Sequence, residues 1–515
     1  MTGTYDVAIV GYGPVGQTLA ALLGQSGVRV GVFERHDEPY GLPRAIRFDH
    51  EAMRVWQRIR IVDELEDDIL PIDRYEWLGA DGEPIVTFPS PPSPSGWAYS
   101  YVFYQPLLEA ALDRAVRAQP TVELHRGLTV DRLEPDADHV ELGLRPTADP
   151  TAPPTTVRAS WVVGADGASS FVRDALEIEL EDLGFHERWL VLDLRPHDLS
   201  LIELPDCPRQ YCDPRRPHVV VPNGRRHRRW EFMLLPGERP EDFASPDVAW
   251  TLLAPWMTSD DATIERHAVY EFGSAVASSM QRGRCFLVGD AAHLMPPHMG
   301  EGMCSGLRDA HGLAWKLALV ARGLADERIL SSHTSERLPH NRAIVELSLA
   351  MGRVSCELDP GAAAERDARL RADGVEPPPF PVLETGVLTG EAPAGSLAVQ
   401  GVVEVDGRAG RLDDVVGTGF VVLGRATDDL PSALDAQTLA FLEGIGGRLV
   451  LLGEGPGVAR DVDGALVGWL REHGAAAAVI RPDAYVFGTA RDGDDLRSVL
   501  GELRRQLEPP PRGAR

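Results

Sequence analysis

Residues 5–35 read YDVAIVGYGPVGQTLAALLGQSGVRVGVFER. The apolar run at residues 7–10 suits a strand buried on both faces of a parallel sheet. Gly11, Gly13 and Gly16 follow in the pattern GxGxxG, and residues 14–25 form an apolar helical stretch. A second apolar run, residues 28–33, predicts a strand that delivers Glu34. Each position has a physical task. Gly11 makes the tight turn, Gly13 lets backbone N–H groups approach a pyrophosphate, and Gly16 lets helix and strand close on each other. Pro14 and Val15 open a helix whose N-terminus offers partial positive charge to phosphate. Glu34 is placed to accept hydrogen bonds from a ribose, and Arg35 after it is either a solvated charge or a further contact. The complete strand–helix–strand–acid unit predicts an ADP-dinucleotide site. It does not choose between NAD and FAD.

Bulk properties narrow the class. A chain of 515 residues is too long for one hydrophobic core and predicts several domains. The 78 acidic against 51 basic residues give a net charge of −27, which disfavours nucleic acid and anionic membrane surfaces as partners. Five cysteines, at 207, 212, 285, 304 and 356, contain no CxxC pair and no disulfide framework, as expected of a cytoplasmic protein. No basic, apolar leader precedes the first strand, and no apolar run reaches the length of a membrane span. Lys316 is the only lysine and lies in an apolar helical stretch, so imine chemistry is not expected.

Two more strands end in acidic turns. Residues 161–167 read WVVGADG, placing Asp166 after a strand; residues 285–303 read CFLVGDAAHLMPPHMGEGM, placing Gly289 and Asp290 after another. Turn chemistry alone explains either one. Together with the first motif they suit a cofactor longer than a nucleotide. His293 is read as structural rather than a metal ligand, because further ligands at recognisable spacing are missing, and no metal is expected.

The set GYGPVG, GADG and GDAAHLMPPHMGEGM resembles the flavoprotein aromatic hydroxylases related to p-hydroxybenzoate hydroxylase and phenol hydroxylase. The stretches LPRAIRFDHEAMR from Leu42, RDAHGLAWKLALV from Arg308 and IRPDAYV from Ile480 look closest to the 3-(3-hydroxyphenyl)propionate hydroxylase branch. The resemblance implies FAD as cofactor, with NAD(P)H reducing it, O2 adding at C4a, and the flavin hydroperoxide passing OH to a single phenolic ring with a short carboxylate side chain, like 3-(3-hydroxyphenyl)propionate, ortho to its hydroxyl. It also implies that Asp290 bonds the ribityl chain and that Pro296 and Pro297 border the isoalloxazine. Gly300 and Gly302, with Met303 at the start of a helix, would bring N–H groups to the flavin N1–C2=O edge; helical spacing over residues 303–322, with Leu307, Ala310, Ala314, Leu317 and Ala321 on one face, predicts that helix. Arg44 and Gln105 match positions close to the cofactor. Glu301 stands where relatives commonly carry glutamine; a carboxylate there opposes reduction unless it turns outward.

Substrate residues are less determined. Asp49 lies where phenol hydroxylases carry an acid able to assist phenol ionisation, but it equally suits an N-cap for the helix EAMRVWQRI. Arg47 and His50 depart from the branch pattern; Arg47 offers a cation for a substrate carboxylate. His298 is a candidate to face the substrate. Tyr211, His218, Phe232 and Met233 are pocket candidates on strands that read equally well as core. The alternatives are the same flavin chemistry on a polycyclic natural product, or a non-catalytic FAD-binding redox protein.

The expected fold is α/β. A Rossmann-type FAD-binding domain spans residues 1–180, with part of the substrate domain interleaved. A mixed-sheet substrate domain covers 181–275, a second FAD-binding part with helices 276–375, and a thioredoxin-like C-terminal domain without CxxC 376–515. That last domain cannot perform dithiol chemistry. Packing, or pairing of two copies as a homodimer, is its expected role. The tail from residue 508 is expected to be disordered.

Overall fold

The computed structural model describes residues 3–200, 202–376, 378–428 and 430–509. Residues 510–515 of the tail, and Pro377 of the proline-rich linker, lie outside the described residues. The opening stretch forms strand Thr4–Val10, helix Pro14–Gln25 and strand Val30–Glu34. The second strand starts later than its apolar run because the Val28 N–H closes the preceding helix on the Leu23 carbonyl (3.1 Å). Gly11 has φ +101°, and a Cβ there would stand 2.4 Å from the Ala165 carbonyl oxygen. A Cβ on Gly16 would stand 2.4 Å from the Gly11 oxygen, so neither turn admits a side chain.

Five parallel strands form the first sheet in the order Cys285–Leu287, Thr155–Gly164, Thr4–Val10, Val30–Glu34, Val122–Arg126. The antiparallel strands Leu128–Pro135 and Val140–Pro146 extend it from Thr155–Gly164. Its register decides where the motifs meet. Val10 pairs with both Phe33 and Gly164, and Gly164 pairs with Leu287, so these strands end level. The turns after them carry Gly11, Glu34, Asp166 and Asp290 to one edge, the carboxyl edge where open α/β sheets bind ligands.

A second, largely antiparallel sheet runs His293–Leu294, Ala262–Ala277, Leu180–Pro196, His227–Met233, His218–Asn223, Arg209–Tyr211, Arg74–Leu78, Pro84–Pro89. It draws strands from both sides of the 181–275 segment. The charged run GRRHRRW closes the hairpin between His218–Asn223 and His227–Met233. One face packs on an apolar cluster that includes Leu190, Trp230, Phe232 and Leu253. The other looks toward the first sheet.

Helix Gly302–Ala321 has the expected extent, but the expected single apolar face is too simple. It is buried on nearly every side, polar residues included, because it runs between helix Pro14–Gln25 and the C-terminal region. That region has a four-stranded sheet ordered Arg448–Leu452, Val421–Arg425, Ala477–Ile480, Val486–Ala490, with the first pair parallel and the others antiparallel. Helices Ala436–Gly444 and Gly493–Leu507 complete a thioredoxin-like arrangement. All five cysteines are free and buried. No helix among the described residues is long and apolar enough to cross a membrane.

Candidate active site

A cavity of about 1580 Å³ runs from the carboxyl edge of the first sheet to the underside of the second. Gly11, Gly13, Pro14, Val15, Glu34 and Arg35 line its first end, whereas Gly16 lies behind them against Gly11. A Cβ on Gly13 would meet nothing within 4 Å, so the backbone at this helix N-terminus faces open space. Glu34 accepts from the Tyr12 N–H (2.8 Å) and the His36 N–H (2.9 Å), which fixes its carboxylate at the rim. Arg35 donates to the His36 ring (3.2 Å).

Asp166 lines the cavity but uses both oxygens on its own turn, accepting from Ser170 Oγ (2.6 Å) and the Val172 N–H (3.1 Å). Asp290 differs. It stands exposed into the cavity, and among the described residues no group donates a hydrogen bond to it. The surrounding protein raises its pKa by desolvation, against the opposing charges of His293 and Arg44. An unmatched carboxylate at this depth calls for hydroxyl donors from a ligand.

The segment carrying Arg44 is gripped from two sides. Gln105 Oε1 accepts from the N–H groups of Arg44 (2.8 Å) and Ala45 (2.6 Å). Arg229, paired with the buried Asp193 (2.7 Å), donates to the carbonyls of Arg44 (2.6 Å) and Pro43 (2.8 Å). The Arg44 guanidinium lies 4.3 Å over the Tyr40 ring. Gln105 therefore acts on the cofactor end through the Arg44 backbone. Arg229 and Asp193 were not found by sequence, since a charged hairpin looks solvated until the sheet buries it.

The loop after Cys285–Leu287 is shaped by Asp309, the second residue of the RDAHGLAWKLALV stretch. Fully buried, it accepts from the Gly289 N–H (3.0 Å), His293 Nε2 (2.7 Å), Arg337 Nε (2.9 Å) and Asn341 Nδ2 (3.0 Å). His293 is thereby tied to the long helix through Asp309. Pro296 and Pro297 then lead to Gly300 at φ +65°, where a Cβ would press on the Arg47 side chain at 3.2 Å. Glu301 takes the N-cap position of the long helix, and Gly302 and Met303 follow on the cavity wall. First-turn N–H groups have no partner within a helix, so these two present donors to the cavity. Glu301 does not turn outward. It is 3% exposed and bridges Arg47 Nη1 (2.9 Å) and Arg308 Nη1 (3.0 Å).

The neighbouring candidates divide. Asp49 caps helix His50–Ile59, accepting from the N–H groups of Glu51 (3.1 Å) and Ala52 (2.9 Å), and its other oxygen binds Arg308. The N-cap alternative thus holds, and Asp49 does not line the cavity. Nor does His50, which packs on Tyr99 at 5.3 Å. Arg47 lines it, but its guanidinium is committed to Glu301, Ser100 Oγ (2.7 Å) and the Met299 carbonyl.

Under the second sheet the cavity becomes a chamber in which apolar Trp189, Val191, Val219, Val221, Phe272 and Met351 alternate with polar Gln210, Arg229 and Glu231. Strand alternation explains why Tyr211, His218 and Phe232 are absent from it, whereas Met233 shares the chamber's face but is absent from its wall. With Val219 and Val221 facing the chamber, His218 is turned to the opposite face, stacked on Tyr211 (4.3 Å) and Phe232 (5.5 Å). Met233 packs with Trp189 and Cys356. His298 does line the chamber, edge-on to Phe185 and Trp189, with its Nε2 buried and unpartnered against Gly352. Burial pushes its pKa down to about 4, so the imidazole is neutral at pH 7. Among the described residues two groups bring three metal-capable side chains together: Asp49, Glu301 and Cys304, and Glu187, His298 and Cys356. Arginines already hold both carboxylates of the first, and Glu187 of the second accepts from Trp189 Nε1 (3.1 Å).

Residues 4–348 match the family model described as FAD binding domain, and residues 395–506 match the HcaD C-terminal domain. This chain belongs to the FAD-dependent aromatic hydroxylase family. It is 38% identical to a probable NADH-specific resorcinol 4-hydroxylase of Rhodococcus jostii, over 98% of this chain and 96% of the relative. It is 35% identical to a 3-(3-hydroxy-phenyl)propionate/3-hydroxycinnamic acid hydroxylase of Burkholderia cenocepacia, over 93% of each. The fold matches that of the flavin-dependent monooxygenase PieE, solved with FAD and substrate, at TM-score 0.81 and 22% identity over 98% and 99% of the two chains. Aklavinone-11 hydroxylase, solved with FAD and aklavinone, gives TM-score 0.79 at 23% identity over the same shares.

The residues present fit FAD. Open space over Gly13, a level row of strand ends, the unmatched Asp290 and a helix N-terminus at the far side form one continuous bed. Asp290→Ala and Glu34→Ala are each expected to weaken FAD binding by roughly tenfold or more, the equivalent of losing one charge-assisted hydrogen bond. Fluorescence titration of the apoprotein with FAD measures this, and parent-like affinity in both variants would remove the assignment.

Proposed function

We propose that this chain uses NAD(P)H and O2 to hydroxylate a small phenol ortho to its existing hydroxyl, and that the phenol needs no anionic side chain. The observation that carries the reading is the largely apolar wall of Trp189, Val191, Val219, Val221, Phe272 and Met351 beside the Pro296–Gly300 turn, with Arg47 and Arg308 already paired to Glu301. Bound FAD supplies the two-electron carrier that the nicotinamide reduces and oxygen reoxidises.

The chain's own residues bind, orient and exclude water. Gly13, Glu34 and Asp290 hold the dinucleotide, and Gln105 and Arg229 fix the segment bearing Arg44. Trp189, Val191, Val219 and Val221 press an aromatic ring toward the turn and keep the chamber dry, where stray water would divert the reaction. His298, neutral at pH 7 and enclosed at Nε2, offers Nδ1 to accept a hydrogen bond from the phenol O–H, which raises electron density on the ring. This role passes to His298 because both oxygens of Asp49 are occupied. The cation expected of Arg47 for a substrate carboxylate is spent on Glu301. That favours the resorcinol-like end of the relatives' substrates over the propionate end.

The test compares resorcinol, 3-(3-hydroxyphenyl)propionate and a polycyclic phenol, each with NADH and with NADPH, scoring product by mass spectrometry and NMR and peroxide in parallel. The expected result is product formation with the neutral single-ring phenol and little peroxide. Turnover confined to the propionate or the polycycle would overturn the substrate class. Peroxide alone from all three would overturn the hydroxylase reading for this chain.

A further inference from the structure

Glu301 sits at the junction of the Pro296–Gly300 turn and the long helix, with its two oxygens divided between two guanidiniums. Arg308 is shared further, with Asp49 and with Glu51 Oε2 at 2.7 Å. Three carboxylates therefore rest on two arginines. Asp49, Glu51, Glu301 and Arg308 are all 5% exposed or less, so water does little to screen the excess charge. The other ionisable groups facing the cluster do not balance it. His50 is held below its ordinary pKa by burial, and Tyr99, Cys304 and Tyr485 are held above theirs by burial, so all four are neutral at pH 7. With every carboxylate ionised, the cluster carries one net negative charge.

Of the three acids, only Glu301 lines the cavity, at the helix N-terminus where bound FAD, placed as the family resemblance implies, would set the ring edge that reduction makes anionic. A second negative charge placed there, in a site of low dielectric, repels the first. The least costly relief is one proton on the carboxylate with access to the cavity. Burial already raises the pKa of Glu301, with Asp49 adding to the effect and Arg308 and Arg47 opposing it.

We infer that Glu301 takes up a proton when the flavin is reduced and gives it back on reoxidation, so that the FAD-loaded protein gains two protons, one on the ring and one on Glu301, with each pair of electrons. The inference rests on FAD lying in this cavity. In balance, two electrons and one proton reach the ring from the reductant, leaving its N1 edge anionic. The second proton comes from solvent through the cavity to a Glu301 oxygen, turning carboxylate to carboxylic acid while Arg47 and Arg308 stay charged. Glutamate here therefore need not oppose reduction; it makes reduction pH-dependent.

The midpoint potential of the FAD-loaded protein, measured by anaerobic spectroelectrochemistry from about pH 6 to about pH 9 without any phenol, tests this. The parent and Glu301→Asp are expected to show a two-proton slope over part of that range, and Glu301→Gln a one-proton slope throughout. Equal slopes in parent and Glu301→Gln overturn the inference. Should the glutamine variant lose FAD, the parent alone decides. Its reduced-minus-oxidised infrared difference spectrum must gain a carboxylic-acid C=O band that shifts on ¹³C-glutamate labelling, and absence of that band also overturns the inference. Since neither measurement uses oxygen or an aromatic substrate, its failure is separate from failure of the product assay.

Discussion

Asp309→Asn is expected to destabilise the protein by about 3–5 kcal/mol, the range for a buried ion pair that loses one partner. It should also strip FAD from the purified protein. The carboxylate gathers four donors, from Gly289, His293, Arg337 and Asn341, in a fully buried site. An amide of the same shape sets an NH2 donor against two of them and leaves the Arg337 charge unbalanced. The Gly289 N–H is lost from the turn that aims Asp290, so stability and cofactor binding should fall together. The pH dependence has a definite sign. Burial alone would raise the pKa of Asp309, but His293 and Arg337 hold it far below the carboxylate range. A depressed folded pKa contributes stability that is present above the unfolded value, about 3.9, and lost as pH falls below it. Urea unfolding followed by tryptophan fluorescence should therefore show a constant gap between parent and variant near neutrality that narrows below about pH 4. A gap under about 1 kcal/mol, the cost of a single neutral hydrogen bond, would show that the turn is held by other means.

Arg481→Met is expected to cost a similar amount, about 3–5 kcal/mol, and to detach the C-terminal region from the FAD-binding part. Arg481 donates to Glu336 (3.1 and 3.0 Å), to Asp483 (2.9 Å) and to the Val387 carbonyl (3.0 Å), all away from water. Lys316, the single lysine, completes the network at 2.6 Å from Glu336; burial lowers its pKa to about 8 despite that partner. Trp315 Nε1 reaches Asp483 (3.0 Å), and Arg54 clasps Asp413 (2.7 and 3.0 Å) and the Ala398 carbonyl (2.6 Å). Chain truncated near residue 380 leaves Glu336 with Lys316 alone and strips Arg54 of Asp413 and the Ala398 carbonyl, so it should be insoluble. Limited proteolysis and size-exclusion chromatography measure both effects. A monodisperse, FAD-loaded truncation would show that the network stabilises only the C-terminal region. If such a truncation also lost hydroxylation alone, the region would have a direct part in the site.

The first strand–helix–strand unit could be read from sequence because its requirements are local: a turn at φ +101°, a helix opened by Pro14, and an acid at the end of the next strand. The same holds for the turns at Asp166 and Asp290, whose glycines and acids are adjacent in the chain. Periodicity gave helix Gly302–Ala321 its length. It could not show that Arg308, Asp309 and Lys316 are buried, because a charged residue looks solvated until its partners arrive. Those partners come from residues 49, 51, 293, 337 and 336.

The chamber shows the same limit. Sequence placed a sheet over the substrate, but a one-residue change in strand facing exchanges Val219 for His218 at the wall, and strand pairing sets that choice. Asp49 looked catalytic or capping until Arg308, 259 positions away, took its second oxygen. Sequence alone determined the turns that hold a dinucleotide, since these depend on backbone conformations only certain residues adopt, and its resemblance to a known family pointed to FAD. Tertiary structure decided which charges are free to act, because the balance of a buried charge depends on neighbours that only the fold supplies.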